Sequence, residues 1–259
     1  MKLMSEEIAK ENPDTIIVIT PHGPLFSDGI AVQYEKELSG DFHKFGDQNY
    51  QYTRGNDIEL IDELVGVMTE EYKLSGALID EDAAEYFGTS HHLDHGTIVP
   101  LYYVDKNMRD YKLVSITYGL LSYQDLYKVG MSIRKAVERL GRKVVMIASG
   151  DLSHKLKDSG PYNYHSSGPA FDKEILDKLT HQKTVDILSM DPEFCDEAGE
   201  CGKRSIDILL GALDGIDYNA TLLSYEGPFG VGYAVVRFDE LDRIIPTRLK
   251  EIEKSRNEY

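Results

Sequence analysis

Apolar and polar positions follow two different periods along the chain, and the changes between them mark out its elements. Leu3, Met4 and Ile8 fall at helical spacing, and Asn12-Pro13 ends that helix. Thr15–Thr20 (TIIVIT) is an unbroken β-branched run bounded by prolines, which predicts a strand buried on both faces. Ile58, Ile61, Leu64, Val65 and Met68 line one face of a helix over 56–74, capped by Asn56 or Asp57. Residues 97–104 (TIVPLYYV) and 113–120 (LVSITYGL) read as strands, with Pro100 pushing the first toward an edge. A long helix over 122–140 is closed by Gly141, and 143–148 (KVVMIA) follows as another buried strand. Helices are predicted over 169–179 and 202–213. Strands over 219–224 and 231–237 flank a turn at Glu226-Gly227-Pro228. Strands alternating with helices argue for an α/β fold, a central sheet flanked by helices.

Composition narrows the function classes. Against 28 Lys and Arg stand 45 Asp and Glu, a net charge of −17. With no basic patch to offset it, that charge excludes nucleic acid and anionic membrane surfaces as partners. No apolar run reaches bilayer length, and the first residues lack the apolar core of a signal peptide. Two cysteines and no export signal predict a cytoplasmic location. No repeat or mid-chain linker appears, so one domain over 1–243 is expected, with 244–259 a charged tail or linker. The chain opens on a helix that feeds a central strand, which suggests that a first strand lies upstream.

The histidines carry the chemistry. His22 directly follows the strand Thr15–Thr20, His154 follows 143–148 within SGDLSH, and Glu226 follows the strand over 219–224. Ligands bind outside the carboxyl ends of strands in helix-flanked sheets. If those ends coincide, two imidazoles and a carboxylate can hold Fe(II) or Zn. Taken singly, each residue has a plainer reading: a turn residue for His22, a helix cap for His154, a solvated carboxylate for Glu226. His91, His92 and His95 crowd the start of the predicted 97–104 strand, with Asp94 placed to orient a ring of His95. The spacing of His91 and His95 is helical, but Gly96 and the apolar run speak against a helix. His91 and His92 read as loop residues, and His43, His165 and His181 as surface. Cys195 and Cys201 have no standard metal spacing and read as reduced structural thiols.

Several motifs in their order resemble the class III extradiol ring-cleavage dioxygenase superfamily. They are PDTIIVITPH at 13–22, LDHGTIVPL at 93–101, ASGDLSH at 148–154 and SYEGPFGVGYAV at 224–235. GDFHKFG at 40–46 and ECGKRSIDILLGALDG at 200–215 are similar to its Memo-like branch, which includes the AmmeMemoRadiSam group. The resemblance implies a largely parallel sheet of the dioxygenase B-subunit type. It further implies Fe(II), with Zn as an alternative, held by His22 and Glu226. His154 would be the acid/base, His95 would line the substrate pocket, and Asp151 would border it. The implied reaction is ring cleavage of an aromatic diol with O2. The alternative is a Memo-like metal-binding or partner-binding protein without that activity. A zinc hydrolase would use similar ligands but lacks a nucleophile elbow here. The superfamily places another metal-binding histidine upstream, on a first strand, and no histidine precedes His22. The expectation is therefore a chain short of that strand, continuing past Tyr259 into an AMMECR-type domain, fused or as a partner. Homo-oligomerisation is compatible with the sequence.

Overall fold

The computed structural model describes residues 1–160 and 162–255. The chain opens with α1 (Lys2–Glu11), ended by Asn12 in the left-handed region, and runs into β1 (Thr15–Thr20). Then come β2 (Gly29–Gln33) and a hairpin of β3 (Glu37–Phe42) and β4 (Asp47–Gly55). The middle third holds α2 (Ile58–Val67), β5 (Ser75–Ile79), α3 (Glu81–Phe87), α4 (His95–Val104), β6 (Lys112–Thr117), α5 (Tyr123–Leu140) and β7 (Val144–Ala148). The last third holds α6 (Ser167–Thr180), α7 (Thr184–Leu188), α8 (Pro192–Ala198) and α9 (Lys203–Ala212). It ends with a hairpin of β8 (Ile216–Glu226) and β9 (Tyr233–Ile244), and α10 (Leu249–Ser255).

Five strands form the central sheet in the order β5-β2-β6-β1-β7. Every neighbouring pair is parallel except β2 with β6. β1 lies between β6 and β7 and is buried along its whole length, as its unbroken apolar run predicts. Its alternate residues feed two cores. Ile17 and Ile19 pack with α2, α5 and α9, while Ile16 and Val18 pack with α1, α4 and the β3–β4 hairpin. A third core lies under the β8–β9 hairpin, built from α6, α7, α8 and α10. Ile252 of α10 is fully buried there, so the stretch read as a linker packs on the domain as far as that residue. Residues 256–259 of that stretch lie outside the described residues.

Three expectations change. Residues 97–104 are not a strand but part of helix α4, with Thr97, Ile98, Leu101 and Val104 buried and Val99 and Tyr102 exposed. A continuous apolar run fits a buried helix as well as a strand, and here Asp94 caps the helix by accepting the Thr97 N–H at 3.2 Å. β7 is a strand, but it lies at the sheet edge and is half-buried. β8 and β9 pair only with each other in a separate sheet, so Glu226 does not sit at an end of the central sheet. Elsewhere α5 starts and stops where the spacing predicts. Ser122 accepts the Asp125 N–H at 3.1 Å, and Gly141 closes the helix at φ 61°.

Candidate functional site

Because β1, β6 and β7 are parallel, their carboxyl ends lie on one edge of the sheet, and the loops leaving β1 and β7 meet there. On leaving β1, the His22 N–H donates to Thr20 Oγ1 at 3.2 Å, and Thr20 Oγ1 donates to Asp94 Oδ1 at 2.6 Å. Asp94 also caps α4, so one carboxylate ties the end of β1 to the start of that helix. The first residue of α4 is His95, and its ring stacks on His22 at 4.1 Å between centroids and 26° between planes. A Cβ on Gly96 would lie 2.5 Å from Thr20 Oγ1 and 3.1 Å from His22 Cδ2, so only glycine fits at this junction. Asp94, read from sequence as orienting the His95 ring, spends its hydrogen bonds on Thr20 and the α4 amino end instead. Phe45, on the β3–β4 connection, sets its ring 4.9 Å from His95.

Pro100 inside α4 has a consequence for the second loop. A proline cannot bond the carbonyl four residues back, which leaves the Gly96 carbonyl free. Ser149 Oγ donates to that carbonyl at 2.7 Å, while the Ser149 N–H donates to Ile19 O at 2.8 Å. Both contacts pin the start of the Asp151–His154 loop to the site. The next residue, Gly150, has φ 154°, and a Cβ there would sit 2.5 Å from Gly202 Cα. Backbone contact at this point brings the turn over 199–202 against the loop.

The result is a cluster that spacing does not reveal. Asp151, His154 and Cys201 each offer one donor atom, all within 4.8 Å of one another, the one such group found among the described residues. The Asp151 N–H donates to Cys201 Sγ at 3.2 Å, and the Cys201 N–H donates to Asp151 O at 3.2 Å. His154 Nδ1 lies against the Gly199 carbonyl, which requires a proton on Nδ1 and turns Nε2 toward Asp151 Oδ2, 3.4 Å away. A histidine held this way through its far nitrogen has a fixed tautomer and ring orientation. Tyr162 adds an edge contact to His154 at 5.1 Å.

Electrostatics at this edge favour a neutral thiol at Cys201 and a neutral His22, and a charged His154. Burial pushes the Cys201 thiol up to about 12; the Asp151 N–H that bonds the sulfur works against this, while the charges of Asp151 and Glu200 add to it. Burial and the neighbouring His95 push His22 down, against the pull of Asp94 and Asp151. His154 moves up because Asp151 bonds it. A carboxylate, a thiol and histidines gathered together suit a borderline-soft divalent ion such as Fe(II) or Zn, rather than Ca or Mg.

Four of the five residues singled out in the sequence therefore meet here: His22, His95, Asp151 and His154. The fifth, Glu226, is exposed at the end of β8, outside the cluster. Cys201 was passed over as a structural thiol. Its one signal in the sequence is its place just ahead of the predicted 202–213 helix, where thiols become reactive.

Comparison with known proteins agrees with this architecture. Residues 1–236 match the family described as the catalytic LigB subunit of aromatic ring-opening dioxygenase. The protein CA_C1420 of Clostridium acetobutylicum is 41% identical over 98% of this chain and 54% of its own length, so the chain spans about half of that relative. A 3,4-dihydroxyphenylacetate 2,3-dioxygenase of Escherichia coli is 26% identical over 86% of this chain and 82% of its own. A MEMO1 family protein of Methanococcoides burtonii is 26% identical over 63% of this chain and 60% of its own. The crystal structure of the uncharacterized protein JW3007 from Escherichia coli K12 shares the fold, with a TM-score of 0.63 and 16% identity over 91% of each chain. No helix among the described residues is long and apolar enough to cross a membrane.

Proposed function

Because this chain belongs to the family of the catalytic LigB subunit of aromatic ring-opening dioxygenases, we propose that it binds Fe(II) at the carboxyl edge of its sheet and acts there on an aromatic diol with O2. The observation that carries this reading is the convergence of Asp151, His154 and Cys201 beside the stacked His22 and His95. Cys201 and Asp151 of that cluster would hold the ion, joined by His22, the ligand that the resemblance implies, with Zn the alternative metal. A bound Fe(II) supplies Lewis acidity and redox capacity toward O2.

The chain's own residues manage the substrate's protons. With Nδ1 committed to the Gly199 carbonyl, His154 has only Nε2 to take a hydroxyl proton from a diol. Asp151, 3.4 Å away, stabilises the imidazolium that results, and the proton can return to the product as the ring opens. The His95 and Phe45 rings form the adjoining wall against which a planar ring packs. The substrate is thus a small aromatic diol, with no part for nucleic acid or membrane, in keeping with a cytoplasmic location. An AMMECR-type domain, fused or in trans, and a second copy remain the partners that the Memo-like motifs propose.

A second reading has specific support: a Memo-like metal-binding protein without ring cleavage. It is favoured by a thiol in the cluster where the implied carboxylate Glu226 was expected, and by the MEMO1 family relatives. One experiment separates the two. The protein is loaded anaerobically with Fe(II), a panel of catechols and O2 is supplied, and ring-fission product is followed by its yellow absorbance. Stoichiometric iron with no turnover across the panel rejects the dioxygenase reading and leaves the second. Unchanged iron content in Cys201→Ser and His22→Ala rejects both.

A further inference from the structure

Just beneath the cluster, at the start of α9, lies a buried charged pair that the proposed chemistry does not use. Lys203 and Asp207 are both fully buried, one helical turn apart, with Lys203 Nζ 2.9 and 3.1 Å from the two carboxylate oxygens. The ammonium also sits 3.3 Å from the centroid of the Tyr123 ring, at the start of α5. Desolvating such a pair is costly, and apolar side chains of similar volume often serve stability as well or better. Its position suggests what it does instead.

The turn over 199–202 immediately precedes Lys203 and carries much of what organises the cluster. It supplies the Cys201 thiol and the Gly199 carbonyl that sets the His154 ring. The Cys201 carbonyl accepts Tyr118 OH at 3.1 Å, which ties the same turn to the end of β6. Gly202, the N-cap of α9, has no side chain to satisfy the first turn of the helix. Glu200 does so from within the turn, its Oε2 accepting the Lys203 N–H at 2.6 Å. Lys203 is therefore held at both ends. Its backbone is fixed to Glu200 of the turn, and its ammonium to Asp207 of α9 and the ring of α5.

We propose that the buried Lys203–Asp207 pair, with Glu200, is a positioning device for the metal centre: it fixes the 199–202 turn where Cys201 Sγ and the Gly199 carbonyl meet Asp151 and His154. This rests on the metal-site reading above. Without the anchor, the first turn of α9 loosens and the thiol and the His154 ring lose their common register. The fold itself, carried by the apolar face of α9 against α5, remains.

The test uses Co(II) alone as the probe, with its thiolate charge-transfer absorption and its dissociation constant as readouts, alongside the melting temperature of the metal-free protein. Controls come first: Cys201→Ser should abolish the thiolate band, and a band equal to the parent's there overturns the metal-site reading independently of the pair. The double variant Lys203→Met/Asp207→Leu removes both charges at similar volume. Its metal-free melting should stay near the parent's, while Co(II) affinity falls roughly 10–100-fold, as loss of supporting contacts around a metal site does. Its thiolate band should weaken and shift. Unchanged affinity and an unchanged band overturn the proposal, whatever happens to melting. Should the double variant fail to fold, Glu200→Gln leaves the buried pair intact and weakens only the tie to the turn. A lower Co(II) affinity with unaltered melting then upholds the proposal, and parental affinity overturns it.

Discussion

The two ends of the central sheet both gather charged groups, and they treat them in opposite ways. At the amino end, Asp57 is fully buried and accepts Thr15 Oγ1 at 2.6 Å, Arg142 Nε at 3.2 Å and Lys112 Nζ at 3.4 Å. Its pKa is held below the ordinary carboxylate value: burial works against this, but Thr15, Arg142 and Lys112 together outweigh it. At the carboxyl end, the Cys201 thiol is pushed up and the His22 imidazole down by the same burial. One end has brought its own counter-charges; the other, on the proposed reading, would receive one with the metal. Removing one partner of a compensated buried group destabilises the fold, whereas perturbed titratable groups gathered on a rigid frame make a candidate binding site.

Substitutions can break that contrast. The largest effect on stability is expected for Asp57→Ala, which strands Thr15 and two cations. It should cost about 3 kcal/mol, because a buried partner is lost while Arg142 and Lys112 recover only part of their solvation. Denaturant melts measure this, and Co(II) affinity should not change. Gly96→Ala should cost about 2 kcal/mol through overpacking against buried Thr20. Unlike Asp57→Ala, it should also weaken metal binding, since the new methyl group presses on His22. Ser149→Ala should cost about 1 kcal/mol by stranding the Gly96 carbonyl that Pro100 leaves free. A Ser149→Ala melt equal to the parent's would show that water replaces the hydroxyl.

pH sharpens the same contrast most gently. A carboxylate with a lowered folded pKa adds stability that is present above its unfolded value, ordinarily 3.8, and is lost as pH falls through the lower folded value. Acid melts of the parent and Asp57→Asn should therefore converge below that range. Metal binding must displace the Cys201 proton, whereas His22, shifted down, is already neutral near pH 7. Affinity should rise with pH, roughly tenfold per unit for one proton released. Calorimetry in buffers of different ionisation enthalpy counts that proton.

Legibility in the sequence followed the kind of contact involved. β1 could be read because six consecutive buried residues between prolines leave few alternatives, and α5 because its period and both caps agree. α4 could not, since a run whose exposed positions, Val99 and Tyr102, are apolar like its buried ones loses the period that separates helix from strand. β2 and β5 are short, and the β3–β4 hairpin is largely polar, so none stood out. In the candidate site, His22 and His154 were legible because they lie in the loops that leave two strands, and parallel strands bring their carboxyl ends together; Asp151 came only with the resemblance of the ASGDLSH motif. Glu226 was read by the same rule, but its strand pairs outside the central sheet.

By itself, then, the sequence determined the α/β class, the strand that anchors the sheet and the loops that leave its carboxyl edge. These depend on local period and on the residue after a strand. Only the tertiary structure decided the membership of the cluster. Cys201 enters because Gly150 and Gly202 touch backbone to backbone, and His95 because Asp94 ties α4 to Thr20. Both are contacts between segments 50 or more residues apart, and no period along the chain encodes them.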